Sequence, residues 1–313
     1  MSYIFLGCRH LGGACFGLWL DRGAQTFLSI RWHASWAQLG LSMSKTVDYS
    51  DLILPEPPAL SDPVPQGLRY IVATSMRSGS TLLTDALAST GVAGTPDEHF
   101  VAGDVGAQAQ RVRYGVDDDG DFIDQLIKGT ASANGVFGTK MFWGFWDRLI
   151  PCLLAKTGRE LDRPMQELLP ILMSEGLGKP LKYIWLRRRN KVAQAISLYR
   201  ARNTGQWRAY TWQGGPDEAR HKELEFDEAK IRALVEDLEE QDRKWLAYFQ
   251  LYRIGPLMIF YEDFAEAYEG TVRGVMKFLD LPSEDVAIPP PKLERQADER
   301  SKEWERRFYC SND

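Results

Sequence analysis

The chain has 313 residues, 44% of them hydrophobic, enough to bury a sizeable core as two ordinary domains or one α/β domain with extensions. Its formal net charge of −5 excludes a general nucleic-acid binder, because affinity for a phosphate backbone needs a basic surface, so any anion site must be local. The four cysteines (Cys8, Cys15, Cys152, Cys310) are scattered without metal-ligand spacing, which points to a reducing compartment and no structural zinc.

The N-terminal stretch MSYIFLGCRHLGGACFGLWL is broken by Arg9 and His10. It falls short of the roughly 20 apolar residues of a membrane helix and lacks the basic start of a signal peptide, so the expectation is a cytoplasmic protein that is not membrane-embedded. Residues 1 to 53 show no clear helical or alternating period, and LPEPPALSDPVP from Leu54 to Pro65 is a spacer that sustains neither helix nor central strand. Residues 1–66 therefore read as a dispensable, poorly ordered appendage and linker, and residues 67–313 as the folded domain. Within it, Tyr70 to Val72 form a strand, Thr74 to Ser80 a turn, and Thr81 begins a helix carrying Leu82, Leu83 and Leu87. GVFGTKM (135 to 141), LKYIWL (181 to 186) and PLMIFYEDF (256 to 264) read as buried strands. Between the last two, Ile231, Leu234, Val235, Leu238, Trp245, Leu246 and Phe249 recur at helical spacing. VDDDGD (116 to 121) and QGGPDE (213 to 218) read as solvated loops. Strands alternating with helices predict an α/β fold, a central and mostly parallel sheet with helices on both faces.

The segment YIVATSMRSGSTLL (70 to 83) carries the first chemistry. A strand, a tight loop and a helix N-terminus aim unpaired backbone N–H groups at one point, where the helix dipole also favours negative charge. Gly79 lets the backbone approach an anion, Ser78, Ser80 and Thr81 add hydroxyl donors, and Arg77 adds a fixed fork of cationic donors. An ordinary helix capped by Ser80 is the alternative. A nucleoside-triphosphate loop is disfavoured: its G-x-x-x-x-G-K-[ST] pattern needs a lysine where this chain has Ser80. A shorter loop without that lysine suits a nucleotide with a single 5′-anion chain and no metal, and it resembles the 5′-phosphosulfate loop of sulfotransferases.

A second stretch agrees. YIWLRRRNKVAQAISLYRARNTGQW (183 to 207) is a strand ending in three arginines, followed by a helix. Sulfotransferases hold the 3′-phosphate of 3′-phosphoadenosine 5′-phosphosulfate (PAPS) with an arginine at such a strand end and a serine on the next helix, the spacing of Arg189 and Ser197, with Arg188 the adjacent candidate. Together with STGVAGTPDEHF (89 to 100), FGTKMFW (137 to 143) and LERQADERSKEW (293 to 304), these motifs resemble the Stf0 family of bacterial sulfotransferases from about Tyr70 to the C-terminus. The resemblance does not cover residues 1 to 66.

It implies a P-loop-NTPase-like sulfotransferase fold, PAPS as sulfate donor, no metal, and a small carbohydrate or glycolipid acceptor, trehalose being the family's founding one. It also implies a homodimer. The family's base, the glutamate of G-x-P-x-E, falls on Glu98, with Asp97 and His99 as competitors; His99 stands where the family is expected to have another aromatic residue. A sugar hydroxyl is a poor nucleophile at neutral pH, so a carboxylate within hydrogen-bond reach must take its proton. Arg77 and Ser80 are placed to stabilise the transferring group, and Lys140 could neutralise it or simply snorkel from a strand end. Phe142, Trp143, Phe145 and Trp146 could stack on a sugar or fill the core. Arg295 and Gln296 are expected, on resemblance alone, in a loop that closes over the nucleotide. A magnesium-dependent kinase and a catalytically silent binder on the same fold are the competing readings.

Overall fold

A computed structural model describes residues 4–11, 14–20, 26–31, 67–208, 224–293 and 297–310, the first three segments as backbone alone. Those three are strands β1 (Ile4–Leu11), β2 (Ala14–Leu20) and β3 (Thr26–Arg31), paired antiparallel in the order β1-β2-β3. A search for period alone misses them; the informative signal is the Gly12-Gly13 dipeptide between two apolar runs, which marks a hairpin.

The main sheet has four strands: β4 (Arg69–Thr74), β5 (Phe137–Phe142), β6 (Leu181–Arg187) and β7 (Leu257–Phe260). Their order is β5-β4-β6-β7 and every pairing is parallel, as the alternation of strands and helices predicts. The helices follow in chain order: α1 (Ser80–Ser89), α2 (Asp104–Tyr114), α3 (Asp119–Thr130), α4 (Trp146–Thr157), α5 (Met165–Leu172), α6 (Lys191–Thr204), α7 (Glu228–Leu251), α8 (Tyr261–Glu266), α9 (Tyr268–Phe278) and α10 (Glu299–Cys310).

Two apolar clusters sit on opposite faces of the sheet, and the two-residue period of the strands feeds both. Ile71, Ala73, Tyr183 and Trp185 join α3 to α7 and α10 on one face, while Tyr70, Val72, Ile184 and Leu186 join α1 and α9 on the other. Aromatic residues dominate the first face: Trp245 of α7 meets Trp143 edge to face at 5.2 Å between ring centroids and stacks on Phe249 at 5.8 Å. Of the expected apolar stripe on α7, Ile231, Leu234, Leu238, Trp245 and Phe249 are buried, but Leu246 is exposed.

Two boundary expectations are corrected. The run PLMIFYEDF is a strand only to Phe260; Tyr261 starts α8, with Glu262 and Asp263 in its first turn, where the helix dipole favours carboxylates. VDDDGD is not all loop, because the Asp118 carboxylate accepts N–H bonds from Gly120 and Asp121 at 2.7 and 3.3 Å and caps α3. QGGPDE lies outside the described residues. Among those residues no helix is long and apolar enough to cross a membrane.

One glycine fixes the approach of the strands that carry the site. A Cβ on Gly138 of β5 would stand 2.2 Å from Cζ of Tyr70, a fully buried ring whose hydroxyl donates to the Ala93 carbonyl at 2.8 Å. Gly138→Ala should therefore destabilise the protein by about 1–3 kcal/mol, the usual range for overpacking. A lowered urea midpoint with unchanged slope is the expected reading, and an unaltered midpoint would show that Tyr70 yields freely.

Candidate active site

The ends of the parallel strands place the site. β4 runs into the loop of residues 75–79, and its last residue Thr74 is in register with Phe142 of β5 and Leu186 of β6. The loop is pinned from below. The Thr74 hydroxyl bonds the Leu186 carbonyl at 2.9 Å and the Ser78 hydroxyl at 2.5 Å, while the buried Gln194 amide of α6 donates to the Ser75 hydroxyl and the Met76 carbonyl at 3.0 and 2.6 Å. Two loop residues are left-handed, Arg77 at φ 61 and Gly79 at φ 85. For a non-glycine residue that conformation costs on the order of 1–3 kcal/mol and persists where surrounding structure enforces it. Gly79 is also the cap of α1, with no side-chain bond at the helix start, so Ser80 is not the capping residue and the first N–H groups of α1 keep their capacity for an anion.

Three guanidinium groups line the same cleft as that helix start. Arg77 Nε donates to the Ser197 hydroxyl at 2.9 Å, joining the two sequence motifs, and a second Arg77 nitrogen donates to the Trp207 carbonyl. Arg188 donates to the Arg77 carbonyl at 3.3 Å and lies 4.8 Å over the Tyr261 ring. Arg200 on α6 forms a bidentate pair with Asp298 at 2.6 and 2.7 Å. Burial, with the charges of Arg188 and Arg200 added to it, pushes the Arg77 guanidinium down to about 10.

These groups open on one cleft of about 1120 Å³, above the roughly 300–1,000 Å³ of an ordinary small-molecule pocket. Its lining includes Arg188, Ser197 and Arg200, Arg77 and the start of α1, and Glu98, Phe142 and Arg208. Beside the cleft Lys140, fully buried, donates to Glu98 Oε1 at 2.7 Å and to the Thr81 hydroxyl at 3.3 Å. The lysine thus ties the carboxylate to the first turn of α1.

A family model described as Stf0 sulphotransferase matches residues 69–311. The chain belongs to the Stf0 sulphotransferase family. Similar proteins include the trehalose 2-sulfotransferases of Mycobacterium tuberculosis and Mycolicibacterium smegmatis, each 30% identical over 262 residues, a match spanning 76% of this chain and 93% of the relative. This member of the family is accordingly a sulfotransferase enzyme.

The cleft of this Stf0 sulphotransferase collects Arg77, Gly79, Ser80, Thr81, Glu98, Arg188 and Ser197 from the residues singled out in the sequence. Others are placed elsewhere. The Ser78 hydroxyl is spent on Thr74, and Arg189 is held outside the cleft wall by a bidentate pair with Asp263 at 2.6 Å, half exposed. The three arginines of the run diverge, since Arg187 pairs with Asp242 at 2.9 Å. Trp143, Phe145 and Trp146 belong to the core, and Phe142 alone of that run lines the cleft. Arg295 and Gln296 lie outside the described residues. Sequence reasoning missed Arg200, Arg208 and Tyr261; Arg200 falls one helical turn after Ser197, a spacing that puts both on one face of α6.

His99 is a core residue. Its Nε2 donates to the Thr95 carbonyl at 3.0 Å, its Nδ1 accepts from the Tyr114 hydroxyl at 3.3 Å, and its ring stacks on Phe137. Burial pushes its pKa down to about 4, so the ring is neutral at neutral pH with both nitrogens occupied. The unfolded histidine titrates near about 6.5, so between that value and 4 the unfolded chain binds the additional proton, and His99 favours the fold fully above 6.5 and progressively less as pH falls. His99→Phe should therefore lose about 2 kcal/mol less stability than the wild type between pH 7 and pH 5 in urea denaturation, and it should keep sulfotransfer. Equal pH dependence in the two proteins would contradict the neutral buried ring.

Proposed function

We propose that this enzyme transfers a sulfuryl group from PAPS to a hydroxyl of a trehalose-like sugar or of a glycolipid sugar, releasing a sulfate ester and adenosine 3′,5′-bisphosphate. One observation carries the reading: Lys140 reaches both Glu98 and Thr81, so a proton acceptor and an anion-binding helix start face one cleft within the span of a single ammonium group. The relatives' printed activity on trehalose supports a sugar acceptor.

In this reading the 5′-phosphosulfate rests on the first N–H groups of α1 and on Arg77, and Arg188 with Ser197 receives the 3′-phosphate. Glu98 accepts the proton of the acceptor hydroxyl as its oxygen bonds to sulfur, while the bond from sulfur to the phosphate oxygen breaks in line. Charge then builds on the departing phosphate, where the guanidinium of Arg77 offsets it. Lys140 orients Glu98 and keeps an ammonium near the sulfonate. The loop supplies its positive charge through guanidinium and backbone dipoles in place of a metal, so a chelator should leave turnover unchanged. The proposed compartment is the cytoplasm.

The direct test is a screen of candidate sugars with labelled PAPS, reading the sulfated product by mass. Glu98→Gln keeps the size of the side chain and removes the proton acceptor, so turnover should fall by roughly 10² to 10⁴. Because that loss arises only as the transition state forms, kcat and kcat/KM should fall together with little change in donor affinity. Near-normal turnover in Glu98→Gln would remove the glutamate from the mechanism.

A further inference from the structure

The backbone around Glu98 is held from two sides. Towards β5, the Asp97 carbonyl accepts the Lys140 N–H at 2.9 Å and the Thr139 hydroxyl at 3.3 Å. The same carbonyl accepts the His99 N–H at 3.0 Å, and this bond between residues two apart closes a γ-turn with Glu98 at its centre. Towards α2, the Glu98 carbonyl accepts from the Gln110 amide at 3.2 Å. One helical turn further along α2 the Tyr114 hydroxyl meets His99 Nδ1 at 3.3 Å, so two side chains on one face of that helix grip consecutive residues of the turn. Gln110 is 1% exposed, and its Oε1 is buried with no partner among the described residues.

A buried amide oxygen without a partner costs stability, which an apolar side chain of similar volume would avoid. The amide at this position is explained by the bond that it does make. We propose that Gln110 is a positioning residue for sulfotransfer: by holding the Glu98 carbonyl it fixes the turn that aims the Glu98 carboxylate into the cleft. The inference rests on the reading above in which Glu98 takes the acceptor's proton. The peptide planes on either side of Glu98 set its φ and ψ, and these set the direction of its Cα–Cβ bond. β5 fixes the first plane, and Gln110 with the γ-turn bond fixes the second. Lys140 orients the tip of the side chain through Oε1 at 2.7 Å, whereas Gln110 fixes its root. A reacting group displaced by about 1 Å loses up to about 10² in rate, so a small relaxation of the turn is enough to matter.

The test is a double-mutant cycle with PAPS and trehalose, in proteins whose folding is checked by thermal melting. Gln110→Met keeps the volume and removes the amide, so kcat should fall by about 10- to 100-fold with the donor Kd unchanged. In the Glu98→Gln background the same change should cost little, because the carboxylate that it positions is already gone. Tyr114→Phe, which removes the neighbouring bond to His99, should leave kcat close to the wild type. An unchanged kcat in Gln110→Met, losses that multiply in the double variant, or an equal loss in Tyr114→Phe overturns the proposal. Near-normal turnover in Glu98→Gln removes the functional reading and this proposal with it, an outcome distinct from those three. If the wild type leaves trehalose unsulfated, hydrogen exchange reads the positioning by itself: the His99 amide should exchange faster in Gln110→Met than in the wild type, and equal exchange overturns the proposal. Should Gln110→Met not fold, Gln110→Asn, which withdraws the amide by one methylene, takes its place in both measurements.

Discussion

The structure depends on one electrostatic constraint, the placing of Arg77, Arg188 and Arg200 along one cleft with a helix start that has no side-chain cap. Burial disfavours the charged guanidinium of Arg77 and the nearby cations add repulsion, and its lowered pKa has both causes, burial the larger. The left-handed backbone of Arg77 adds strain to the same few residues. Both are held in place by neutral groups beneath them: the Gln194 amide on the Ser75 hydroxyl and the Met76 carbonyl, and the Thr74 hydroxyl on Ser78 and Leu186. In the proposed function an anion with two charged arms would relieve the repulsion that the fold alone sustains.

The parallel sheet converts that constraint into a reaction site. β4 is central, its chain leaves towards β5 on one side and β6 returns on the other, and ligands in such sheets bind beyond the carboxyl ends of the strands at the reversal. Each strand end contributes one part: β4 the loop and α1, β5 the lysine that holds Glu98, and β6 the arginine run and α6. Lys140 is the joint between parts, since its single ammonium contacts the carboxylate and the first turn of α1. A shift of the loop is therefore felt at Glu98, with no longer pathway required.

The parallel strands, the strand–loop–helix turn of residues 69–89 and the basic strand end were legible because each rests on short-range rules: apolar runs bounded by turn residues, a helix start with small hydroxyls, and an arginine run before a helix. What the sequence could not resolve was direction. Three consecutive arginines diverge to Asp242, the cleft and Asp263, and those partners come from α7 and α8, far along the chain. The same holds for Asp97, Glu98 and His99, of which the middle one lines the cleft while the histidine turns to Thr95 and Tyr114. The run of Phe142, Trp143, Phe145 and Trp146 divides for a related reason: the strand ends at Phe142, and the following turn rolls the other three rings into the core. The N-terminal strands escaped because pairing between them, and no period within any one, defines them.

The claim that the arginine-rich end is built for a nucleotide with two anionic arms is tested most directly by calorimetry with adenosine 3′,5′-bisphosphate and adenosine 5′-phosphate. The account predicts that the wild type prefers the bisphosphate, that Arg188→Ala abolishes most of that preference, and that Arg189→Ala, whose side chain is engaged with Asp263, keeps it. Equal weakening of both ligands by Arg188→Ala, or loss of the preference in Arg189→Ala alone, would contradict it.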